Sequence, residues 1–400
     1  MSGGSITNGW VGLKTDLYVA ASGDFRTDVA PLAAALSTRG TLWSAPVTYA
    51  YVALLAAVLV VATVACFPLE GVAAVAVWVV ALVLFGWLAG RRGWIAARAL
   101  DRALFRGAEL SRLNPNTDHV ICASDLQTAE SVYLSGRFVY SYRLGWGEPA
   151  DLSLARAVQI STCRPGAFSP AALPVERHRF PLAGAGDDPV TRMLLTDGGV
   201  YDTTGTEWPL RLAARIREGG APEPRPHGID EVVVVNGTPG GGVGDRRSVT
   251  MPVVGEISSL LAVQDVLYAQ ATSVRSGLLE ARFRATRAGI TDPQVHLDGG
   301  MVQIDRTPYE LPRSLVGGGD AAARRARAAL DLLTSGEEPD WKADVEANRS
   351  VKAALARIPA DRAARLMRHA YVLTMVNMHV LRDYPLLPVP SVADFEKLVV

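Results

Sequence analysis

The sequence predicts an α/β fold interrupted by an inserted helical hairpin and followed by a helical C-terminal region. Three observations support this. From His119 onward, short β-rich runs alternate with helical periodicity, the pattern of a sheet with substantial parallel character. Two charge-free apolar runs, Val47–Phe67 of 21 residues and Val72–Ala89 of 18, stand side by side. Further on, Asp320–Leu333, Ala343–Leu355 and Ala360–Leu381 all read as helices.

The elements follow in order. Ser2–Trp10 is rich in Gly and Ser, and Leu13–Leu36 is helical with polar breaks. Across Gly93–Leu110, the spacing of Trp94, Ile95, Leu100, Leu104 and Phe105 among arginines predicts an amphipathic helix, broken by Asn114-Pro115-Asn116. His119–Ala123 and Arg137–Arg143 read as strands, Leu152–Ile160 as a helix, and Met193–Leu195 as a strand running into Asp197-Gly198-Gly199. Leu210–Arg217 is a short helix and Gly219–Pro226 a surface loop. Glu231–Val235, with four consecutive valines, reads as a strand buried on both faces. Ile257–Arg287 is a long helix and Val295–Ile304 a hairpin turning at Asp298-Gly299-Gly300.

Composition removes several function classes. Forty Lys plus Arg balance forty Asp plus Glu, without the basic excess of a nucleic-acid binder. Cys66, Cys122 and Cys163 are odd in number and far apart, which argues against a disulfide framework or a Cys-based zinc site, and Cys66 and Cys122 read as buried thiols. The six histidines show no metal-ligand spacing, so neither metal nor cofactor is expected. Gly237–Gly244 lacks the Lys-Ser/Thr of a P-loop and reads as a plain loop.

Mean hydropathy is +0.17, and its source is the paired runs. Each is about as long as the ~20 apolar residues that span a bilayer, neither has a polar face, and Pro68-Leu69-Glu70-Gly71 turns between them. Tyr49, Tyr51, Trp78 and Trp87 lie near the ends, as in an interfacial belt. Arg91, Arg92, Arg98, Arg102 and Arg106 follow, and Arg26 and Arg39 precede. The expected topology is a two-helix membrane hairpin with both flanks, and the α/β body, on the cytoplasmic side. The arginine run could meet anionic head groups or be a solvated flank. The first 45 residues show no basic start followed by an apolar core, the mark of a secretory signal.

Two segments carry candidate chemistry: Ser2-Gly3-Gly4-Ser5 and Leu194-Leu195-Thr196-Asp197-Gly198-Gly199. Together they resemble the patatin-like phospholipases, whose nucleophile serine sits in Gly-x-Ser-x-Gly before a helix and whose aspartate sits in Asp-Gly-Gly. His119–Leu126 with its Ser-Asp-Leu ending, Leu154–Pro170 and Arg365–Tyr371 are similar to further family segments, so the resemblance covers most of 1–380 outside the hairpin. It implies a patatin-like three-layer sandwich: 1–45 the elbow and its helix, 46–90 the transmembrane hairpin, 91–335 the remaining sandwich, 336–400 the helical end. It also implies a Ser2–Asp197 dyad hydrolysing acyl esters of membrane lipids, with Gly3, Gly4, Gly198 and Gly199 supplying backbone room and oxyanion contacts. A serine hydroxyl needs such a base, and glycines permit the strained turn that exposes it.

Each motif also has an ordinary reading. Ser-Gly-Gly-Ser at a chain start is commonly a loose terminus. Ser5 is a weaker nucleophile candidate, because its surroundings lack the closing glycine. Asp-Gly-Gly is a common turn, and Asp298 is explained as one; His369 reads as a core histidine. The family places a strand and an oxyanion loop before the elbow, so the resemblance implies an upstream start with Met1 standing for a valine codon. Two other functions remain at this stage: a non-catalytic, patatin-fold membrane scaffold, or an N-terminal-nucleophile hydrolase with Ser2 as its first residue.

Overall fold

The computed structural model describes residues 3–38, 40–43, 45–183, 189–237, 254–292, 296–314, 320–334, 338–349, 351 and 357–399. The chain is mixed α/β and divides into two compact units, Met1–Tyr201 with Gly220–Pro226 and Ala354–Ile358, and Asp202–Gly219 with His227–Ala353 and Pro359–Val400.

The first unit contains α1 (Gly3–Lys14), α2 (Ser22–Thr38), α3 (Pro46–Cys66), α4 (Val72–Ala89) and α5 (Arg92–Leu100), which runs into a π-helical turn, Asp101–Phe105. Strands β1 (Val120–Asp125), β2 (Glu130–Ser135), β3 (Val139–Ser141) and β4 (Gly145–Gly147) follow, then α6 (Leu154–Ser161), β5 (Ala171–Pro174) and β6 (Arg192–Asp197). The sheet order is β4-β3-β2-β1-β6-β5, and every pairing in it is antiparallel, against the parallel character expected from the sequence. A local turn decides the β1–β2 pairing. At the β1–β2 corner the Asp125 carboxylate accepts the Gln127 N–H (3.0 Å) and the Thr128 hydroxyl (3.2 Å), and Ala129 takes a left-handed φ of 57°. With no Gly or Pro to mark this turn, β2 was not legible, and a turn so tight admits only antiparallel strands.

Helices α1 and α6 pack on β1. Asn8 of α1 donates Nδ2–H to the Val120 carbonyl (2.9 Å) and accepts from His119 Nδ1 (2.8 Å). A Cβ on Gly9 would meet Leu154 and Val158 of α6 at 3.3 Å, and one on Gly12 would meet the His119 ring at 2.7 Å, so these glycines set the approach of α1. Ile6, Trp10, Ile121, Leu134, Val158 and Leu195 join one apolar core. Burying such side chains contributes about 1.5–3 kcal/mol each.

Helices α3 and α4 are long and apolar enough to cross a membrane, and only 6% of each span is buried. Their lengths, 21 and 18 residues, give about 32 and 27 Å at roughly 1.5 Å per residue, against a hydrocarbon core of about 30 Å. They pack antiparallel: Cys66 Sγ meets the Ala74 carbonyl (3.5 Å) near the turn, and the Tyr51 hydroxyl donates to the Leu88 carbonyl (2.9 Å) near the foot.

The second unit contains α7 (Glu207–Arg217), β7 (Val232–Asn236), α8 (Val254–Arg287), β8 (Gly299–Gln303), α9 (Glu310–Ser314), α10 (Asp320–Thr334), α11 (Glu338–Arg349), α12 (Ala360–Arg382) and α13 (Val392–Val399). Two expectations are corrected here. Gly299–Gln303 forms no hairpin; it pairs in parallel with β7, Val232 opposite Gly299. The valine run is not buried on both faces. Val232 and Val234 pack on Leu279 and Phe283 of α8, whereas Val233 is 40% and Val235 66% exposed, because a two-stranded sheet leaves one face open. Residues 238–253 and 293–295 lie outside the described residues, and with them most of the Gly237–Gly244 loop. Ala326, Leu330, Trp341, Val372 and Val376 form the core among α10, α11 and α12.

Candidate active site

Strand β6 ends at Asp197 because Gly198 turns the chain there. A Cβ on Gly198 would stand 2.4 Å from the Cys122 carbonyl oxygen, so only glycine lets this turn close on β1. The Ser124 hydroxyl stitches the turn, donating to the Asp197 carbonyl (3.0 Å) and accepting the Tyr201 N–H (3.2 Å). The Asp197 Oδ1 accepts the Gly199 N–H at 2.8 Å, which fixes the carboxyl over its own backbone. Asp197 is 3% exposed, and burial pushes its carboxyl up from the ordinary aspartate range, against the opposing pull of the Gly199 N–H and the Arg164 guanidinium. A buried carboxylate with raised basicity is suited to take a proton.

A second set of contacts ties this turn to α1. The Cys163 carbonyl accepts both the Asp197 N–H (3.1 Å) and the Thr196 hydroxyl (2.7 Å). Two residues earlier, Ser161 at the end of α6 shares a 2.7 Å hydroxyl–hydroxyl hydrogen bond with Ser5 in the first turn of α1. The short Ser161–Cys163 segment therefore brackets the N-terminal turn of α1 on one side and Asp197 on the other. Ser124, Ser161 and Thr196 form this frame, and the sequence marked none of them as site residues. Their signal is long-range hydrogen bonding, which a linear motif does not carry.

Among the sequence-derived site residues, Ser2 lies outside the described residues. Gly3 and Gly4 open α1, where a Cβ would meet nothing within 4 Å, so their lack of side chains is not forced by packing. Gly199 contributes its N–H to Asp197, and Gly198 is the sterically obligatory one. Ser5 is buried and engaged with Ser161. This contrast yields a stability test. Gly198→Ala is expected to lower the unfolding midpoint by the equivalent of about 1–3 kcal/mol through overlap with Cys122, whereas Gly4→Ala, in open helix, is expected to leave it equal or raised. Equal midpoints for the two variants would contradict the turn as described.

The second Asp-Gly-Gly behaves differently. The Asp298 side chain is 43% exposed and is held by Arg382, which also binds Glu231, and the Arg382 guanidinium draws the Asp298 carboxyl below its usual range. Gly299, at φ 141°, could not carry a Cβ, which would fall 2.0 Å from the Val232 carbonyl. Asp298 is thus a paired structural anion, unsuited to general-base work. His369 is fully buried, donating Nε2–H between the Ile304 (3.2 Å) and Arg306 (3.1 Å) carbonyls, and burial lowers its basicity. Cys66 and Cys122 are half-buried rather than buried, while Cys163 is enclosed and its thiol is pushed up to about 11 by burial, which keeps it protonated and unreactive. Among the described residues, no three His, Cys, Asp or Glu side chains could hold a metal ion.

No family model, curated protein or solved structure matches this chain.

Proposed function

We propose that this chain is a membrane-held lipid acyl hydrolase of patatin-like sandwich fold, using Ser2 as nucleophile and Asp197 as base. The observation that carries this reading is the buried, basicity-raised Asp197 at the end of β6, framed by the same Ser161–Cys163 segment that binds the first turn of α1. In the acylation step, Asp197 takes the Ser2 hydroxyl proton as the oxygen attacks the ester carbonyl. The tetrahedral oxyanion is met by the Gly3 N–H at the N-terminus of α1, where helix N–H groups lack intrahelical partners. Collapse expels the alcohol of the lipid, which leaves with the proton from Asp197. Water, deprotonated by the same carboxylate, then releases the fatty acid. No metal or cofactor enters either step. Helices α3 and α4 hold the body at the bilayer, with the arginine-rich foot on the cytoplasmic side by the positive-inside rule.

A fluorophosphonate probe traps an activated serine. Membranes holding the full chain are expected to label, Ser5→Ala is expected to label equally, and Ser2→Ala is expected to lose the label. Labelling that survives Ser2→Ala would remove Ser2 as nucleophile. A folded wild-type chain that never labels would favour the non-catalytic scaffold.

A further inference from the structure

The foot of the hairpin holds charged groups for which ester hydrolysis has no use. Helix α4 ends at Ala89 and α5 begins at Arg92, so Arg92 stands roughly 4–5 Å past the last apolar turn at about 1.5 Å per residue. The headgroup layer is about 5–7 Å deep on each side of the hydrocarbon core, which puts Arg92 at the depth of lipid phosphates. Indole rings mark the same level. The Arg91 guanidinium lies 3.8 Å over Trp87, and that of Arg98 lies 4.1 Å over the half-exposed Trp94.

Helix α6 packs against α5 at this level. Its Gln159 is 1% exposed, and its Oε1 accepts from Arg156 Nη1 at 2.5 Å. Gln159 Nε2 lies against the first turn of α5, 3.0 Å from where a Cβ on Gly93 would stand. Arg92 Nε is buried without a hydrogen-bond partner, and Gln159 Nε2 meets only the weak acceptor Cys163 Sγ. Among the described residues no carboxylate pairs with Arg92 or Arg156. Arg156, the Gln159 amide and Arg92 all act against the burial that raises the Cys163 thiol. Burial also works against the charge on Arg156. Partly desolvated cations and an amide donor facing only a thiol are costly unless an anion completes them.

We propose that Arg92, Arg156 and the Gln159 carboxamide form a binding site for the phosphodiester of an anionic phospholipid, seated between α5 and α6, with its acyl chains along α3 and α4. Guanidinium forks suit the diester's two free oxygens, and Gln159 Nε2 supplies a further donor. Lipid bound there fixes the depth at which the body meets the bilayer. The inference rests on the hairpin being membrane-embedded, and not on the ester chemistry.

The test titrates the full chain, in neutral detergent, with short-chain phosphatidylglycerol, and in parallel arms with short-chain phosphatidylcholine and inorganic phosphate, reading the unfolding midpoint. Phosphatidylglycerol is expected to raise the midpoint saturably, with little response to the other two. Arg92→Gln with Arg156→Gln is expected to weaken the response about tenfold or more, and Gln159→Met to weaken it several-fold, while Arg98→Gln responds as wild type. Should the double variant fail to fold, the Gln159→Met arm decides alone. An unchanged response in the double variant or in Gln159→Met overturns the site. Equal loss in Arg98→Gln shows diffuse surface attraction and overturns it as well. An equal midpoint rise with inorganic phosphate overturns the lipid assignment. Alkaline carbonate extraction separates the underlying premise: the double variant is expected to stay in the pellet with wild type, and release of wild type sinks the hairpin reading and the site with it.

Discussion

Replacing Asp197 by asparagine is expected to lower kcat/KM by about 10²–10⁴-fold while raising stability at neutral pH. The two effects share one cause. Burial at the end of β6 raises the carboxyl's basicity, which suits the proton abstraction proposed for it but penalises its charged form in the folded chain. With the folded pKa above the unfolded one, the folded state binds more protons between the two values. Stability is therefore complete below the unfolded pKa and is lost as pH rises through the folded pKa. Asparagine does not titrate, so the variant is expected to unfold at a higher temperature above that window and to converge with wild type below it. Unfolding midpoints measured against pH check this. A variant equally or less stable at neutral pH would show that the carboxylate is satisfied in its pocket. In the wild type, the acid limb of the pH–rate profile is expected above the range of an ordinary aspartate, because the base must be deprotonated.

Deleting residues 46–90 is expected to move the protein from the carbonate-resistant pellet to the supernatant. The wild-type chain presents two helices of 21 and 18 residues, charge-free and almost unburied. A single arginine at Val80, midway along α4, is expected to weaken insertion as well, since a charge at a helix centre costs about 2.5–3.5 kcal/mol on insertion scales. If the deletion variant stayed in the pellet, attachment would lie elsewhere in the chain, and α3 and α4 would be an exposed apolar pair awaiting another role.

The hairpin and the helices α6 and α12 were legible from sequence because their signals are local: run length, absence of charge, and 3.6-residue periodicity are carried by neighbouring residues. Asp197 was marked for the same reason, by its tripeptide and the apolar strand before it. Strands β4 and β5 were not, since they are only three and four residues long, and β2 was not, since its turn relies on the Asp125 side chain and a left-handed Ala129 rather than on glycine or proline. The antiparallel β1–β2 pairing follows from that turn, whereas β6 reaches β1 and β5 through longer connections. Tertiary structure alone separates the two Asp-Gly-Gly copies. One aspartate is walled in by Cys122, Ser124 and Cys163, and the other is neutralised by Arg382 from a helix more than eighty residues away. The sequence by itself determined which segments are apolar, helical or sharply turned, because those are properties of adjacent residues. Which carboxylate is buried and basic, and which arginines lack a counter-ion, depended on partners brought together only by folding, since charge and burial are set by neighbours in space.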